Sequence, residues 1–383
     1  MDKKKETEVP KHKSLSEVGN LFKKMKSNTG FTLKSSPYSN VKDWISTGSY
    51  ALNILLSGRP DGGVPTGRAV AFAGESGVGK SFLTTSTVKE GQAKDYYPIY
   101  IDTENAIDSA FAENIGCDVE NFWHESIHVI EEARNFVVNK VGEILQENPD
   151  AKVILVMDSL GNFSSNKDKE DIKKDKTNAD MGSRAKVMKD MLKNLIHFCA
   201  IHNIPYIFTN HTYKDVANAT NPIYAKTVMS GGQQPVYMAS AVAMASAKDI
   251  KDANGKPIGR VLKVKTTKNR FCPPMSDGVE ILISFKNGLN PYFGLARFAV
   301  EAGLMEQTSK TVGKETYVVP HLNNKKFSKL ALYSNKNVEE VFNDDIMKKI
   351  KEYCEKTYTY SNKFLPDHDL EDLEIDESGD SED

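Results

Sequence analysis

The segment GESGVGKS at Gly74–Ser81 restricts the folds open to this chain more strongly than any other stretch. It follows an apolar run, Ala69–Ala73, and precedes a stretch that can form a helix. Glycine residues let a backbone curl around a phosphate with its N–H groups pointing inward, and the helix directs its positive end at the same phosphate. Because the pattern G-x-x-x-x-G-K-[ST] stands between a buried strand and a helix, it predicts an α/β fold with a nucleoside triphosphate site.

The side chains of this phosphate loop (Gly74–Ser81) predict how a triphosphate and its metal ion are held. Lys80 supplies a mobile cation for the β- and γ-phosphates, and the Ser81 hydroxyl is a ligand for Mg²⁺. Asp158, which ends the apolar run VILVMD, is the expected second metal-side group and would hold Mg²⁺ through its water shell. The residues predicted to bind the nucleotide here are Gly74, Glu75, Ser76, Gly77, Val78, Gly79, Lys80, Ser81 and Phe82.

Hydrolysis of a bound triphosphate also needs a group that orients or deprotonates the attacking water. Glu104, two residues beyond the apolar run that ends at Asp102, is the candidate. The alternative from the residues alone is a surface glutamate at the start of a helix, where an acidic side chain is favoured.

Apolar runs alternate with amphipathic stretches through the middle of the chain. Continuous apolar runs between helices are typical of strands buried on both faces, which indicates a mostly parallel central sheet. One helix is predicted at 183–202, where the apolar residues form a single face. The predicted strands are Ala69–Ala73, Pro98–Asp102, Val153–Asp158, Pro205–Asn210, Val261–Thr267 and Val279–Phe285.

Changes in composition divide the chain into four parts. An N-terminal segment at 1–43 is polar and Lys-rich, except for a helical apolar stripe at Leu15–Lys26 that either packs on its own domain or is offered to a neighbouring subunit. The core is expected at 44–290. A small C-terminal module at 291–365, with two helical stretches around an irregular, basic stretch at Lys314–Lys329, precedes a disordered acidic tail at 366–383.

The net charge of −2 conceals two regions of opposite sign. From Asp367 onward the tail holds ten acidic residues and no Lys or Arg. The other 366 residues therefore carry 50 basic and 42 acidic side chains, a net charge of +8. Such a tail either keeps the protein in solution or competes with an anionic ligand for the basic body.

Membrane and secreted proteins are excluded by composition. The longest apolar run, Val153–Met157, is far shorter than the ~20 residues that cross a bilayer. The Lys-rich N-terminus lacks the apolar stretch of a secretory signal. The four cysteines have no paired spacing, which favours reduced thiols. We therefore expect a cytoplasmic protein without a membrane partner.

Six further segments carry a resemblance to a known family. They are ISTGSYALNILL (Ile45–Leu56), IDTENAID (Ile101–Asp108), MDSLGN (Met157–Asn162), FTNHTY (Phe208–Tyr213), AKTVMSGG (Ala225–Gly232) and NGLNPYFGL (Asn287–Leu295). With the phosphate loop, they make the chain similar to the RecA recombinase family from Ile45 to Gly303. Within that family the likeness is greatest to the UvsX-type recombinases of T4-like phages.

The resemblance assigns roles around the nucleotide. Glu104 falls on the family's catalytic glutamate, and Asp108 and Phe111 fall on residues that contact adenine. His211 stands where many bacterial members place a glutamine that senses the γ-phosphate, as it does in the phage subgroup. A histidine can keep the donor role of that glutamine.

Two basic residues, Lys268 and Arg270, acquire a role only through the resemblance. From the residues alone they are solvated surface charges. In the family, the matching residues reach the ATP of the neighbouring subunit. They would act like arginine fingers supplied in trans, stabilising charge on the phosphoryl group that is transferred.

Two segments of the chain match the family's DNA-binding loops, Asn162–Gly182 and Thr212–Val236. Both follow the carboxyl ends of predicted parallel strands, where open α/β sheets bind ligands. The first contains equal numbers of Lys and acidic residues, so its charge alone does not indicate a DNA site. The residues predicted to contact DNA are Arg184, Lys214, Lys226, Gly231 and Gly232. Binding of this type uses phosphate and shape, with little readout of bases.

The resemblance implies an ATP- and Mg²⁺-dependent recombinase. It would form a homo-oligomeric helical filament on single-stranded DNA and pair that strand with homologous double-stranded DNA, in the host cytoplasm if it is phage-encoded. A recombinase of this kind can also have a single-strand-binding protein and a recombination mediator as partners. The alternatives are a ring helicase or an accessory DNA-repair ATPase on the same core, while a small-molecule kinase would require an Arg-rich lid.

Overall fold

The computed structural model describes residues 14–24, 30–36, 39–174, 181–214, 227–230, 234–275, 277–311 and 314–360. In these ranges the strands are β1 Trp44–Ile45, β2 Val64–Pro65, β3 Ala69–Gly74, β4 Tyr97–Asp102, β5 Trp123–Glu125, β6 Val153–Asp158, β7 Tyr206–Lys214, β8 Thr227–Met229, β9 Ala241–Lys251, β10 Pro257–Asn269, β11 Val279–Ser284, β12 Gly288–Asn290, β13 Glu306–Ser309, β14 Thr316–Val319 and β15 Lys325–Ser328.

The α-helices of the same ranges are α1 Leu15–Lys24, α2 Tyr50–Ser57, α3 Lys80–Gln92, α4 Ser109–Ile115, α5 Ile130–Asn135, α6 Gly142–Glu147, α7 Asn166–Lys173, α8 Met181–His202, α9 Gln234–Met238, α10 Leu295–Glu301, α11 Lys329–Leu332, α12 Val338–Val341 and α13 Asp344–Thr357. A π-helical segment at Phe136–Val141 joins α5 to α6, and 3-10 turns lie at Leu160–Asn162 and Pro320–Leu322. No helix in the described part of the chain is long and apolar enough to cross a membrane.

A large sheet with the strand order β12-β11-β10-β9-β3-β7-β6-β4-β5 forms the centre of the core. Its strands from β9 to β5 are parallel, which confirms the predicted α/β fold with a mostly parallel sheet. Alternate residues of β3 belong to two separate apolar clusters, with Val70 and Phe72 in one and Ala69 and Ala71 in the other. The sheet is thus buried on both faces, and for this reason its strands are continuous apolar runs.

The strands β10, β11 and β12 extend this sheet in antiparallel fashion. The predicted strands Val261–Thr267 and Val279–Phe285 lie here, and hairpins rather than helical crossovers connect them. The sequence did not indicate β9, which precedes them. Only its first three residues, from Ala241, are consecutively buried, and its second half is polar and mostly exposed. The apolar run Ala241–Ala245 therefore marks only the first half of this strand.

The parallel register brings the ends of β3, β4 and β6 to one edge of the sheet, beside His211 on β7. Gly74 at the end of β3 pairs with His211 on β7, and Asp102 at the end of β4 pairs with Asp158 at the end of β6. Because these strands run in the same direction, their ends share the edge where open α/β sheets bind ligands. The fold therefore assembles a polar site from residues far apart in the chain.

The segment after Asn290 is more regular than the sequence indicates. The stretch Lys314–Lys329, expected to be irregular, supplies β14 and β15 of a three-stranded antiparallel sheet with β13. Each of these strands has four residues, too few for their alternation to be distinguished from a loop. Phe298 and Ile350 belong to the same apolar cluster as residues of the core, and the boundary at 291 stays a prediction.

The apolar stripe near the N-terminus forms α1, within the helix predicted at Leu15–Lys26. Ser14 and Glu17 form a reciprocal capping box, in which the Ser14 N–H donates to Glu17 Oε2 at 2.7 Å and the Glu17 N–H to Ser14 Oγ at 3.3 Å. The side chain of Leu15 is 95% exposed and that of Phe22 is 68% exposed. The apolar face of α1 is therefore uncovered by the described part of this chain, and subunit docking stays a prediction.

Lys329, at the start of α11, links the C-terminal strands to the large sheet. Its ammonium lies 2.5 Å from a carboxylate oxygen of Glu280 on β11 and 3.2 Å from one of Glu315. Burial alone would lower the pKa of Lys329, but the two carboxylates raise it. The side chain is consequently charged where it joins the two sheets.

We predict that Lys329→Met lowers the free energy of unfolding by about 1–2 kcal/mol, because it removes the cation that lies between two partly buried carboxylates. Urea unfolding followed by circular dichroism measures this loss. Lys349→Met removes an exposed ion pair with Asp345 and serves as the control, which should cost at most about 0.5 kcal/mol. Equal losses in the two variants would contradict the role given to Lys329.

Candidate active site

The phosphate loop joins β3 to α3 and leaves the start of that helix open. Gly79 is the N-cap of α3, with a φ of 105° and no side-chain cap, and its left-handed backbone suits glycine. The first turn of α3 contains no acidic residue. The first N–H groups of the helix are therefore left for an anionic ligand, which the exposed residues Glu75, Ser76 and Gly77 allow to approach.

Lys80 is buried at the start of α3, with its ammonium inside the phosphate loop. Its Nζ donates to the carbonyl oxygens of Gly74 at 3.1 Å and Glu75 at 3.0 Å, and lies 3.4 Å from His211 Nδ1. Burial lowers the pKa of Lys80, and the nearby charges of Glu104 and Asp158 oppose this shift. The loop thus holds a cation where phosphate oxygens would be bound.

Asp158 is buried at the end of β6 and accepts two hydroxyl hydrogen bonds that the sequence did not indicate. Tyr100 donates to its Oδ2 at 2.8 Å, and Thr209 donates to its Oδ1. Burial and the charge of Asp158 raise the pKa of Tyr100 well above its ordinary value, so the phenol remains a donor. The Thr84 hydroxyl lies 3.0 Å from that of Tyr100 and 2.9 Å from the Ser81 carbonyl oxygen.

These contacts run between the two residues predicted to hold the metal ion. Thr84 and Tyr100 link the backbone carbonyl of Ser81 to the carboxylate of Asp158. A serine hydroxyl and a carboxylate are the oxygen donors that Mg²⁺ prefers, usually together with phosphate oxygens and water. The chemistry of the site therefore fits the metal ion that the sequence predicts.

Glu104 lies next to the end of β6 and the middle of β7. Its Oε1 accepts a hydrogen bond of 2.6 Å from Ser159 Oγ and lies 2.6 Å from His211 Nε2. The structure therefore brings together Glu104, Lys80, His211 and Asp158, four of the residues singled out in the sequence.

Asp102 is a supporting residue of this site that was not singled out. Its carboxylate is fully buried and accepts the N–H groups of Glu104 at 2.9 Å, Ala106 at 2.9 Å and Ile107 at 3.2 Å. His124 Nε2 on β5 lies 3.3 Å from its Oδ2. Asp102 thereby fixes the backbone that carries Glu104. The available signal was that Asp102 ends an apolar run, as Asp158 does.

His211 connects the phosphate loop to the second predicted DNA segment. Its side chain contacts Lys80 and Glu104, and its carbonyl oxygen accepts the N–H of Ser230 at 2.9 Å. The residues after it, as far as Lys214, pair with β8. A displacement of β7 would consequently change the position of His211 relative to both Lys80 and Glu104.

The predicted adenine contacts lie beside the first turn of α3. Asp108 is the N-cap of α4, and its Oδ1 accepts the N–H of Phe111 at 2.7 Å. The ring of Phe111 packs edge-on against that of Phe82, with 6.3 Å between the ring centroids. The three side chains are thus near the phosphate loop, and their contact with adenine stays a prediction.

Lys268 and Arg270 lie at the opposite edge of the sheet. Lys268 pairs with Val242 on β9, and Val242 pairs with Ala71 near the beginning of β3. The Lys268 ammonium donates to the carbonyl oxygens of Val236 at 3.0 Å and Tyr237 at 2.6 Å. Burial, followed by the charge of the exposed Arg270, lowers the pKa of Lys268. Neither basic residue joins the phosphate loop of its own chain.

The predicted DNA contacts are described only in part. Arg184, on α8, is half-buried and donates to the Gly161 carbonyl oxygen at 2.6 Å, while Lys214 is exposed at the end of β7. The first DNA segment contains the helix α7 rather than a continuous loop. The remaining predicted contacts, Lys226, Gly231 and Gly232, lie outside the described residues.

Comparison with known proteins agrees with this architecture. The family model for the RecA N-terminal domain matches residues 14–290. A recombination and repair protein of Enterobacteria phage T4 is 32% identical over 290 residues, which cover 74% of this chain and 70% of that protein. A RecA protein of Thermus thermophilus is 29% identical over 268 residues, 69% of this chain and 74% of that protein. This chain therefore belongs to the RecA family.

Proposed function

We propose that this protein is an ATP-dependent DNA recombinase that forms a filament on single-stranded DNA and pairs the bound strand with a homologous duplex. The position of His211 carries this proposal, because one side chain contacts both Lys80 and Glu104 and lies on the strand leading to a predicted DNA segment. The T4 and RecA relatives favour recombination over a ring helicase or an accessory repair ATPase.

The nucleotide would be ATP, with its phosphates against the loop N–H groups and the start of α3. Lys80 would exchange the carbonyl oxygens of Gly74 and Glu75 for phosphate oxygens, an exchange that its single mobile ammonium allows. Ser81 and Asp158 would hold Mg²⁺, the first directly and the second through water. When bound, the metal ion would supply positive charge that neutralises the phosphates.

Glu104 is the proposed group that orients the attacking water. Its backbone is held by Asp102, and its carboxylate is held by Ser159 and His211. A carboxylate positioned in this way has few conformations to lose before reaction, which favours catalysis. The DNA segment that follows β7 can influence this position through His211.

The proposed nucleotide site is completed by a second copy of the chain. Lys268 and Arg270 lie at the edge of the sheet opposite the phosphate loop, so they can stabilise a transferring phosphoryl group only in another subunit. A contact of this kind joins two different surfaces, and its repetition gives a helical filament when the rotation between copies does not close into a ring. The uncovered apolar face of α1 is the proposed docking element for the neighbouring copy.

The function is tested by strand exchange with purified protein, ATP and Mg²⁺. We expect DNA-stimulated ATP hydrolysis, joint molecules between circular single strands and linear homologous duplex, and helical filaments in electron microscopy. Heterologous duplex is the control and should give no joint molecules. Closed rings without joint molecules would overturn the proposal in favour of a helicase.

Glu104→Gln should keep ATP and DNA binding but lower the turnover number by about 100-fold or more, because the amide cannot accept a proton from water. Steady-state hydrolysis and binding of a fluorescent ATP analogue measure the two effects. Glu113→Gln, at an exposed position of α4, is the matched control. Turnover near that of the unmodified protein in Glu104→Gln would remove this residue from the mechanism.

Lys268→Ala should lower ATP hydrolysis by at least about 10-fold, because it removes a charge supplied to the neighbouring site. Mixing it in equal amounts with Glu104→Gln tests action in trans, since each variant retains what the other lacks. In a randomly mixed head-to-tail filament about one site in four is complete, so about a quarter of the original rate should return. A rate equal to the mean of the two variants would exclude action in trans.

A further inference from the structure

Arg260 on β10 contacts the phosphate loop from outside the predicted nucleotide site. One guanidinium nitrogen, Nη1, donates to the carbonyl oxygen of Gly77, and Nε donates to Asp249 Oδ1 on β9 at 2.8 Å. Arg260 and Asp249 are directly opposite each other in the antiparallel register. The cross-strand carboxylate therefore holds the guanidinium in the orientation that reaches Gly77.

The geometry of β9 and β10 explains why this contact is available. β9 pairs with β3 only as far as the Ala245–Gly74 pair. Asp249 lies four residues further along β9, which is about 13 Å at ~3.3 Å per residue. The two strands therefore extend beyond the end of β3 and run beside the phosphate loop.

Gly77 receives little support from packing. It is exposed, its φ is 73°, and apart from its chain neighbours no residue has an atom within 4 Å of the position where a side chain would begin. Lys80 contacts the carbonyl oxygens of Gly74 and Glu75, at the other end of the loop. Within the loop, the peptide between Gly77 and Val78 is held by one long hydrogen bond, from the Val78 N–H to the Glu75 carbonyl oxygen, and the Arg260 guanidinium adds a contact at its carbonyl end.

The orientation of that peptide decides whether the loop can bind an anion. In a planar trans peptide, the C=O of Gly77 and the N–H of Val78 point in opposite directions. The guanidinium holds the C=O on the outer side, so the N–H is directed into the loop, where it lies 3.3 Å from the Glu75 carbonyl oxygen. Rotation of the peptide would instead direct a carbonyl dipole at the phosphates.

We propose that Arg260 is a positioning residue that fixes the phosphate loop in its nucleotide-binding conformation, with Asp249 orienting it. The inference rests on the proposed function only in requiring that the loop bind ATP. Arg260 acts on the affinity for nucleotide and not on the chemical step, because it lies on the side of the loop away from Lys80 and Glu104. Replacing Arg260 should therefore raise KM and leave kcat nearly unchanged.

The test uses Arg260→Gln, Arg260→Lys and Asp249→Asn in the full-length protein, with binding of a fluorescent ATP analogue and steady-state hydrolysis as readouts. Arg260→Gln should raise Kd and KM by about 5- to 10-fold and change kcat by less than about 2-fold, as expected for one lost charge-assisted hydrogen bond. Asp249→Asn should have a smaller effect, and the double variant should be no worse than Arg260→Gln alone. Arg260→Lys should be intermediate.

Arg297→Gln is the matched control. Arg297 also donates through Nε to a carboxylate, Glu301 at 2.7 Å, and through Nη1 to a glycine carbonyl, Gly278 at 2.6 Å. It lies on α10, so its loss should leave Kd and KM unchanged. An unchanged Kd in Arg260→Gln, or a loss of kcat at saturating ATP, would overturn the inference. Unmodified protein that binds no ATP would instead overturn the proposed function.

Discussion

The parallel pairing of β3, β7, β6 and β4 determines which side chains meet where the phosphate loop begins. Because side chains alternate between the faces of a strand, a shift of one residue would move Asp158 or Thr209 to the opposite face. The burial of both sheet faces prevents that shift, since it would place apolar residues in the wrong cluster. The apolar clusters therefore specify the polar site, although they contain none of its reacting groups.

Asp102 and Asp158, the two buried carboxylates beside the phosphate loop, hold different parts of the site in place. A carboxylate removed from water needs several hydrogen-bond donors to offset its lost hydration. Asp102 obtains them mainly from backbone N–H groups, so it fixes the shape of the chain around Glu104. Asp158 obtains them from the hydroxyls of Tyr100 and Thr209, which aim its side chain at the proposed metal position.

Local patterns allowed the phosphate loop, the six apolar strands and the amphipathic helix at 183–202 to be predicted from the sequence. Asp102 was missed because its partners are backbone groups of the following turn, which have no signature in residue type. Arg260 was missed because it reaches Gly77 across 183 residues of chain, through a register that no local pattern specifies. Short strands such as β14 fall below the length at which alternation is informative.

The strand β10 carries both Arg260 and Lys268, the residues of two proposed contacts. Arg260 and Lys268 are eight residues apart on it, about 26 Å at ~3.3 Å per residue. The first touches the phosphate loop of its own chain, and the second lies at the edge proposed to meet the neighbouring nucleotide. The register between β10 and β9 shifts between Thr266 and Lys268, and irregularities of this kind generally increase the twist of a strand and change the direction of nearby side chains. In the proposed filament, consecutive nucleotide sites would therefore both contact the strand β10, one through Arg260 and the other through Lys268.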